Sequence, residues 1–262
     1  MKHKSISNSG GKMHYRRVGE GPAIVLLHGF YATSHLWDPI LMPLNDGYSL
    51  LLPDLPGFGE SDHFDNANMK WLAVQVKEML DVEEEDSAIL LGHSMGGYIA
   101  LEFAQLCPER LKGLGLIHSH PYADNEEQNS TRKRAIHLIQ EKGAATYVRK
   151  FIPGLFASTT DRLIIRAMMA SLENQTAEGL IAGHQAMLQR EDTSKVLEAL
   201  NIPVLFINGK HDLIISKERR FDQVALPKVA MLHTLERTGH MGTIEQPREM
   251  ATAINSFLKI LD

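Results

Sequence analysis

The chain has one cysteine, Cys107, among its 262 residues, which excludes an intrachain disulfide framework. Beside Pro108 at the end of a helical pattern, Cys107 reads as a packed thiol, and so sparing a use of cysteine fits a reducing compartment. Long apolar runs are missing as well. No stretch approaches the roughly 18 consecutive apolar residues of a membrane span, and the opening MKHKSISNSGGK starts positive but has no apolar region of the kind a secretory leader needs. The sequence therefore predicts a cytoplasmic protein with no membrane partner. Positive charge is also scarce: 27 Lys and Arg face 32 Asp and Glu, a net charge of −5. No basic stripe is present to neutralise phosphates, so a nucleic-acid partner is not expected. The one dense basic run, Arg132-Lys133-Arg134, lies just after Glu126 and Glu127 and reads as a solvated helix face. The remaining balance, 44% hydrophobic and 23% charged, is that of a globular chain with one sizeable core and room for an insertion.

Short apolar runs bounded by turn residues recur at Ala23 to Leu27, Tyr48 to Leu52, Ala88 to Leu91, Leu114 to Ile117, Val204 to Ile207 and Val229 to Leu232. They read as buried strands. Helical patterns fall between them at Met69 to Leu80, Tyr98 to Leu106, Lys217 to Val224 and Arg248 to Leu261. Such alternation predicts an α/β fold, a doubly wound and mostly parallel sheet covered on both faces. Met13 to Val18, before the turn Gly19-Glu20-Gly21-Pro22, is expected as an additional edge strand. From about Pro121 to Thr193 no strand pattern occurs; helical runs such as Arg132 to Glu141, Arg162 to Leu172 and Thr176 to Gln189 follow one another. Residues 121–193 are expected as an all-helical cap inserted into a core of residues 1–120 and 194–262, lying over the strand ends where open α/β sheets bind ligands.

Gly92-His93-Ser94-Met95-Gly96 is the most informative stretch. The apolar run Ala88 to Leu91 ends on it and a helical run starts just after, which is the setting of a nucleophile elbow. A strand that reverses into a helix so sharply needs glycine on both sides of the serine, and it leaves the serine strained and pointing outward. The bland alternative is a Gly-Ser turn without chemistry; the flanking strand and helix favour the elbow.

A serine hydroxyl is a weak nucleophile at neutral pH, so it needs a base within hydrogen-bond reach and a third group to orient that base. The strand Val204 to Ile207 runs into Gly209-Lys210-His211-Asp212, placing Asp212 in a polar loop, and the next run leads into Gly239-His240-Met241-Gly242. Ser94, Asp212 and His240 thus fall in the order an elbow enzyme requires. Among 13 histidines a loop position alone means little; His240 is singled out by its place after a strand and before a helix. His211 is expected to shape its loop. Asp124, on an earlier loop, is the rival acid. His118-x-His120 resembles a metal-ligand pair but has no companion ligands nearby in sequence, so no metal is expected. The oxyanion of a tetrahedral intermediate needs backbone donors, for which Met95, directly after the serine, and Phe30, in the loop after the run Ala23 to Leu27, are the candidates.

Taken together, His28-Gly29-Phe30, Asp54-Leu55-Pro56-Gly57-Phe58-Gly59-Glu60-Ser61, Gly92-His93-Ser94-Met95-Gly96-Gly97, Gly209-Lys210-His211-Asp212 and Gly239-His240 occur in the order found in the α/β-hydrolase superfamily. Across nearly its whole length the chain resembles the small capped serine esterases of that superfamily. The resemblance implies no cofactor, and it implies that the segment from Asp54 to Ser61 is a structural turn. A serine at the elbow departs from similar dehalogenases and many epoxide hydrolases, which carry aspartate there. The short motif His28-Gly29-Phe30-Tyr31-Ala32 also lacks the longer glycine and proline motif of the proline-releasing peptidases.

The expected function is hydrolysis of a small carboxylic ester through an acyl-enzyme on Ser94, with a small acyl compound as the partner. Thioester, amide or carbon–carbon bond hydrolysis, or perhydrolase and haloperoxidase chemistry, would use the same residues. A non-catalytic binding protein of this fold would be expected to have lost one of them. Met168, Met169, Met187, Leu172 and Phe156 could line an apolar acyl pocket, but at helical spacing such residues are more often cap core. Nothing in the sequence sets the oligomeric state.

Overall fold

The computed structural model describes residues 1–8, 11–44, 47–64, 68–172 and 175–261; the expected core and cap spans therefore include a few positions outside the described residues. Among the described residues eight strands form one sheet: β1 (Lys2–Asn8), β2 (Gly11–Val18), β3 (Ala23–Leu27), β4 (Ser49–Pro53), β5 (Ala88–His93), β6 (Leu111–Ile117), β7 (Val204–Gly209) and β8 (Ala230–Leu235). Their spatial order is β1-β2-β4-β3-β5-β6-β7-β8. The pairs from β4 through β8 are parallel, while β1 and β2 add antiparallel at one side. The mostly parallel α/β sheet expected from the sequence is what the chain forms. β3, β4 and β5 are buried at every position, as central strands covered on both faces must be.

One expectation needs correction: the run Met13 to Val18 lies in β2, which is not an edge. β2 sits between β4 and β1, and β1 is the edge. β1 reads KHKSISN, in which Ile6 is the buried apolar residue. It has no hydrophobic alternation to announce it. Its place is fixed instead by seven residue pairings with β2 and by Lys4, whose ammonium meets the buried Glu83 carboxylate at 2.7 Å. Lysines on such an edge also discourage pairing with a second sheet.

The helices follow from capping and apolar spacing. In α2 (Met69–Val82) the Asn68 side chain accepts from the Trp71 N–H, and Met69, Leu72, Ala73, Val76, Met79 and Leu80 form one buried stripe. α3 (Met95–Leu106) packs against α2, and α1 (Asp38–Leu44) packs against α11 (Pro247–Leu261), which starts on proline and buries Met250, Ile254, Phe257 and Leu258. Between β6 and β7 the described chain is helical: α4 (Glu126–Lys142), α5 (Ala144–Phe151), α6 (Arg162–Ser171) and α7 (Ala177–Leu188), before α8 (Ser194–Ala199) returns to the core. α5 and α8 had no clear signal in the sequence. At the base of this excursion the Thr193 N–H and hydroxyl both donate to the Pro121 carbonyl, at 2.9 and 3.1 Å. Among the described residues no helix is long and apolar enough to cross a membrane.

The strand order positions the site. From β3 the chain moves outward to β4, then returns to β5 on the other side of β3. The loops leaving the carboxyl ends of β3 and β5 therefore diverge, which opens a crevice at this switch point. His28-Gly29-Phe30 leaves β3 there and Ser94 leaves β5.

Candidate active site

Ser94 lies between β5 and α3 with φ 51° and ψ −115°. That positive φ costs a non-glycine residue on the order of 1 to 3 kcal/mol and persists because the surroundings hold it. The Ser94 N–H donates to the Ile117 carbonyl at 2.9 Å, and its own carbonyl accepts from the Ser119 hydroxyl at 2.7 Å. The flanking glycines are required by close approach. A Cβ on Gly92 would lie 2.3 Å from the Gly96 carbonyl oxygen, and one on Gly96 would lie 2.3 Å from that of Leu27.

The structure brings Ser94, His240 and Asp212 together. His240 Nε2 is 2.9 Å from Ser94 Oγ, and its Nδ1 is 2.8 Å from Asp212 Oδ2. With Nδ1–H donating to the carboxylate, Nε2 is left to accept the serine proton, an assignment that follows from the hydrogen-bond network. Asp212 Oδ1 accepts from the N–H groups of Ile214 at 2.8 Å and Ile215 at 3.2 Å, so the loop itself fixes the carboxylate. Burial alone would raise the Asp212 carboxyl. The pull of His240 and the hydrogen bonds from His118 and His240 overcome it and hold the group well below its ordinary value of 3.8. A hydroxyl, an imidazole and a carboxylate in this chain can move the serine proton at neutral pH.

Phe30 and Met95 lie on either side of the switch point, after β3 and at the start of α3. Met95 is the first residue of α3, so its N–H belongs to a turn with no intrahelical acceptor. Phe30 follows β3 and lines the cavity above Ser94. Its ring packs on His184 and Phe58, with centroids 4.5 and 5.9 Å apart.

Asp124, the rival acid, is committed elsewhere. Arg132 and Arg190 both pair with its carboxylate. His211 stands exposed, and its N–H donates to the Thr238 carbonyl at 2.9 Å.

His118, which the sequence offered only as half of an incidental His-x-His pair, stands beside the acid. It is wholly buried at the end of β6, has φ 47°, and its Nδ1 lies 3.3 Å from the same Asp212 oxygen that His240 uses. Burial first, offset by Asp212, holds its imidazole below the ordinary value, so it stays neutral. The His-x-His pattern was visible; its direction toward Asp212 was not, because that depends on how β6 and β7 pair. Donor atoms of His118, Asp212 and His240 all lie within 4.8 Å of one another, a span that a metal ion could bridge. A cation there would compete for the atoms with which Asp212 and His240 bond each other.

The turn from Asp54 to Ser61 behaves as a scaffold. Asp54 accepts from the N–H groups of Ser34 at 2.7 Å and Glu60 at 3.0 Å. His28, on the β3 loop, accepts from the Leu55 N–H at 2.8 Å and so ties this turn to Phe30's segment. Burial would raise the Asp54 carboxyl, but the Glu60 N–H, His28 and Ser34 outweigh it and keep the group below 3.8. Such a depressed carboxyl contributes stability that is present above the unfolded value and lost as pH falls through the folded one. Asp54→Asn should therefore destabilise the protein by about 1 to 3 kcal/mol at pH 7, a difference that shrinks as pH falls below about 4. Denaturant melts of both proteins across that range check it.

A cavity of about 540 Å³ opens over Ser94 and His240. Phe30, Tyr31, Phe151 and Leu155 form an apolar wall, while Gln128, Arg132 and Arg219 bring polar groups. Of the five candidate pocket residues, Met187 lines this space. Leu172 and Phe156 are buried core and Met168 and Met169 pack against it, so helical spacing here marks packing. Arg132 also departs from the solvated face expected of its run: its side chain is 19% exposed and turned to Asp124 and the cavity, whereas Lys133 and Arg134 are exposed.

A sheet with this order, an elbow serine and loops carrying His and Asp at the strand ends define a hydrolase of the α/β class. The alpha/beta hydrolase family model matches residues 24–253, and the chain belongs to that family. The pimeloyl-[acyl-carrier protein] methyl ester esterase of Serratia marcescens is 27% identical, over 94% of this chain and 98% of the relative. That of Aeromonas salmonicida is 29% identical, over 92% and 97%. A solved thermophilic esterase from Thermogutta terrifontis, with malate bound, superimposes with a TM-score of 0.93 at 26% identity, covering 100% of this chain and 99% of that one.

Proposed function

We propose that the protein hydrolyses a small carboxylic ester through an acyl-enzyme. Ser94 attacks the carbonyl, His240 takes its proton and returns it to the leaving alcohol, and Asp212 holds the His240 tautomer that can do so. The N–H groups of Phe30 and Met95 receive the oxyanion, and water admitted after the alcohol leaves resolves the acyl-serine with His240 again as base. The observation that carries this reading is the continuous chain from Ser94 Oγ through His240 to Asp212, 2.9 and 2.8 Å long at its two links. Its likeness to methyl ester esterases and to a solved esterase supports an ester over an amide or thioester. Hydrolysis of p-nitrophenyl esters of rising chain length, beside thioesters and amides, tests it; faster turnover of amides would reject it.

Residues 121–193 act as a cap in this reading, closed at the base by Thr193 on Pro121. The cap reaches the catalytic loop directly. The His240 N–H donates to the Leu155 carbonyl at 2.6 Å, and Glu245 accepts from Ala157 and Thr160 on the cap side and from Gly239 on the other. The cap then sets acyl size while leaving proton transfer to the core. Met187→Trp should shorten the preferred ester chain in kcat/KM and, because Met187 is itself buried, lower stability by about 1 to 3 kcal/mol through overpacking. Met168→Trp, at a partly buried position away from the cavity, should retain the chain preference and cost less stability. Parallel melts and chain-length profiles separate the two.

A further inference from the structure

Arg132 and Arg190 share one buried carboxylate, that of Asp124, on the cap side, and a third guanidinium, Arg219, lines the cavity together with Arg132. Arg132 and Arg190 both bond Asp124, the latter at 2.7 Å. The Arg190 side chain is only 3% exposed, and its Nε and Nη1 have no hydrogen-bond partner among the described residues. It stacks on the Tyr98 ring at 3.6 Å. Arg132 keeps one amino group for the cavity, where Nη1 meets the Met187 thioether at 3.1 Å, a weak acceptor. Arg219, from α9 (Lys217–Asp222), donates to neutral oxygens, Gln128 Oε1 at 3.0 Å and the Ala123 carbonyl at 3.4 Å. All three act on His120: burial first, then Arg190, Arg219 and Arg132, hold its imidazole far below the ordinary value, hence neutral. His184, also on the cavity wall, is pushed down to about 3 by burial and then by Arg132. The opposing charge on the lining is Glu127, which is exposed.

A buried guanidinium is costly unless an anion and good hydrogen bonds compensate it. Here one buried carboxylate serves two arginines, and Arg219 adds a third positive charge. We infer that this cluster is a subsite for an anionic group on the substrate, so that the preferred ester carries a carboxylate at the end remote from the scissile bond. The inference rests on the ester-hydrolase reading. The carboxylate lies against Arg219 and the Arg132 Nη1, whose planar donors suit its two oxygens. Its methylene chain lies along Phe30, Tyr31 and Phe151, and the ester carbonyl reaches Ser94. No bond is made or broken at the arginines; they orient and select.

The test compares monomethyl esters of straight-chain dicarboxylates of rising length with methyl esters of monocarboxylates of the same length. At one length the anionic ester should exceed its neutral partner by roughly ten-fold or more in kcat/KM, about the worth of one charged hydrogen-bonded contact. Arg219→Gln should collapse that ratio toward one, chiefly through KM, and Arg219→Lys should restore part of it. Should Arg219→Gln not fold, rising salt applied to the wild type gives the same reading, because screening lowers the ratio. Neutral esters cleaved as well as anionic ones at every length, or a ratio that Arg219→Gln leaves intact, overturns the subsite while ester hydrolysis stands. If neither series is cleaved, the ester reading fails, and calorimetric titration with glutarate decides the subsite alone: binding that Arg219→Gln abolishes keeps it, and no binding removes it.

Discussion

Ser94→Ala is expected to lower kcat for ester hydrolysis by about four to six orders of magnitude, His240→Ala to do nearly the same, and the double variant to be little worse than either. The reason lies in the 2.9 Å link between Ser94 Oγ and His240 Nε2. Without the imidazole the hydroxyl keeps its proton, and without the hydroxyl the imidazole has nothing to activate, so the second loss removes nothing that the first left. What survives comes from the oxyanion donors and the cavity. Steady-state kinetics of the three variants check the prediction; multiplicative losses would mean that the two residues act independently. Ser94 also holds φ 51°, a strained conformation for any residue with a Cβ. Ser94→Gly should therefore be inactive yet more stable than Ser94→Ala, by about 1 kcal/mol, in the same melts.

The second large effect separates the two aspartates. Asp212→Asn should reduce kcat by about four orders of magnitude, because an amide can donate to Nδ1 and so stabilise the tautomer that carries its proton on Nε2. Asp124→Asn should leave kcat within a few-fold on neutral esters. Its cost falls on stability instead, about 3 kcal/mol, since it leaves Arg132 and Arg190 buried without their shared carboxylate. Kinetics and melts on the same two proteins give both readings. The reverse pattern, a dead Asp124→Asn and an active Asp212→Asn, would move the acid to the earlier loop.

The residues that sequence alone made legible share one property: their chemistry is announced by neighbours in the chain. Ser94 sits between a wholly buried strand and a helix and is flanked by Gly92 and Gly96, and each of those features is local in the chain. Asp212 and His240 were legible for the same reason, each following a strand of the parallel sheet. The features that escaped notice depend on contacts distant in sequence. β1 is polar and exists through its pairing with β2. His118 owes its position beside Asp212, 94 residues away in sequence, to the pairing of β6 with β7. Arg132 looked like part of a solvated run because its partners, Asp124, Met187 and the cavity, are set by how α4 meets α7. Met168 and Met169 pack against the core, the commoner fate of apolar residues at helical spacing, while Met187 at the same kind of spacing lines the cavity. Periodicity marks what is buried, and it does not say whether the burial is against core or against an empty space.

Covalent labelling by a fluorophosphonate, followed by mass spectrometry of the digested protein, measures the reactivity of the Ser94 hydroxyl oxygen. A single adduct on Ser94 is predicted, forming at a rate that falls by orders of magnitude in His240→Ala. Labelling of a different serine, or of Ser94 at the same rate with and without His240, would contradict it.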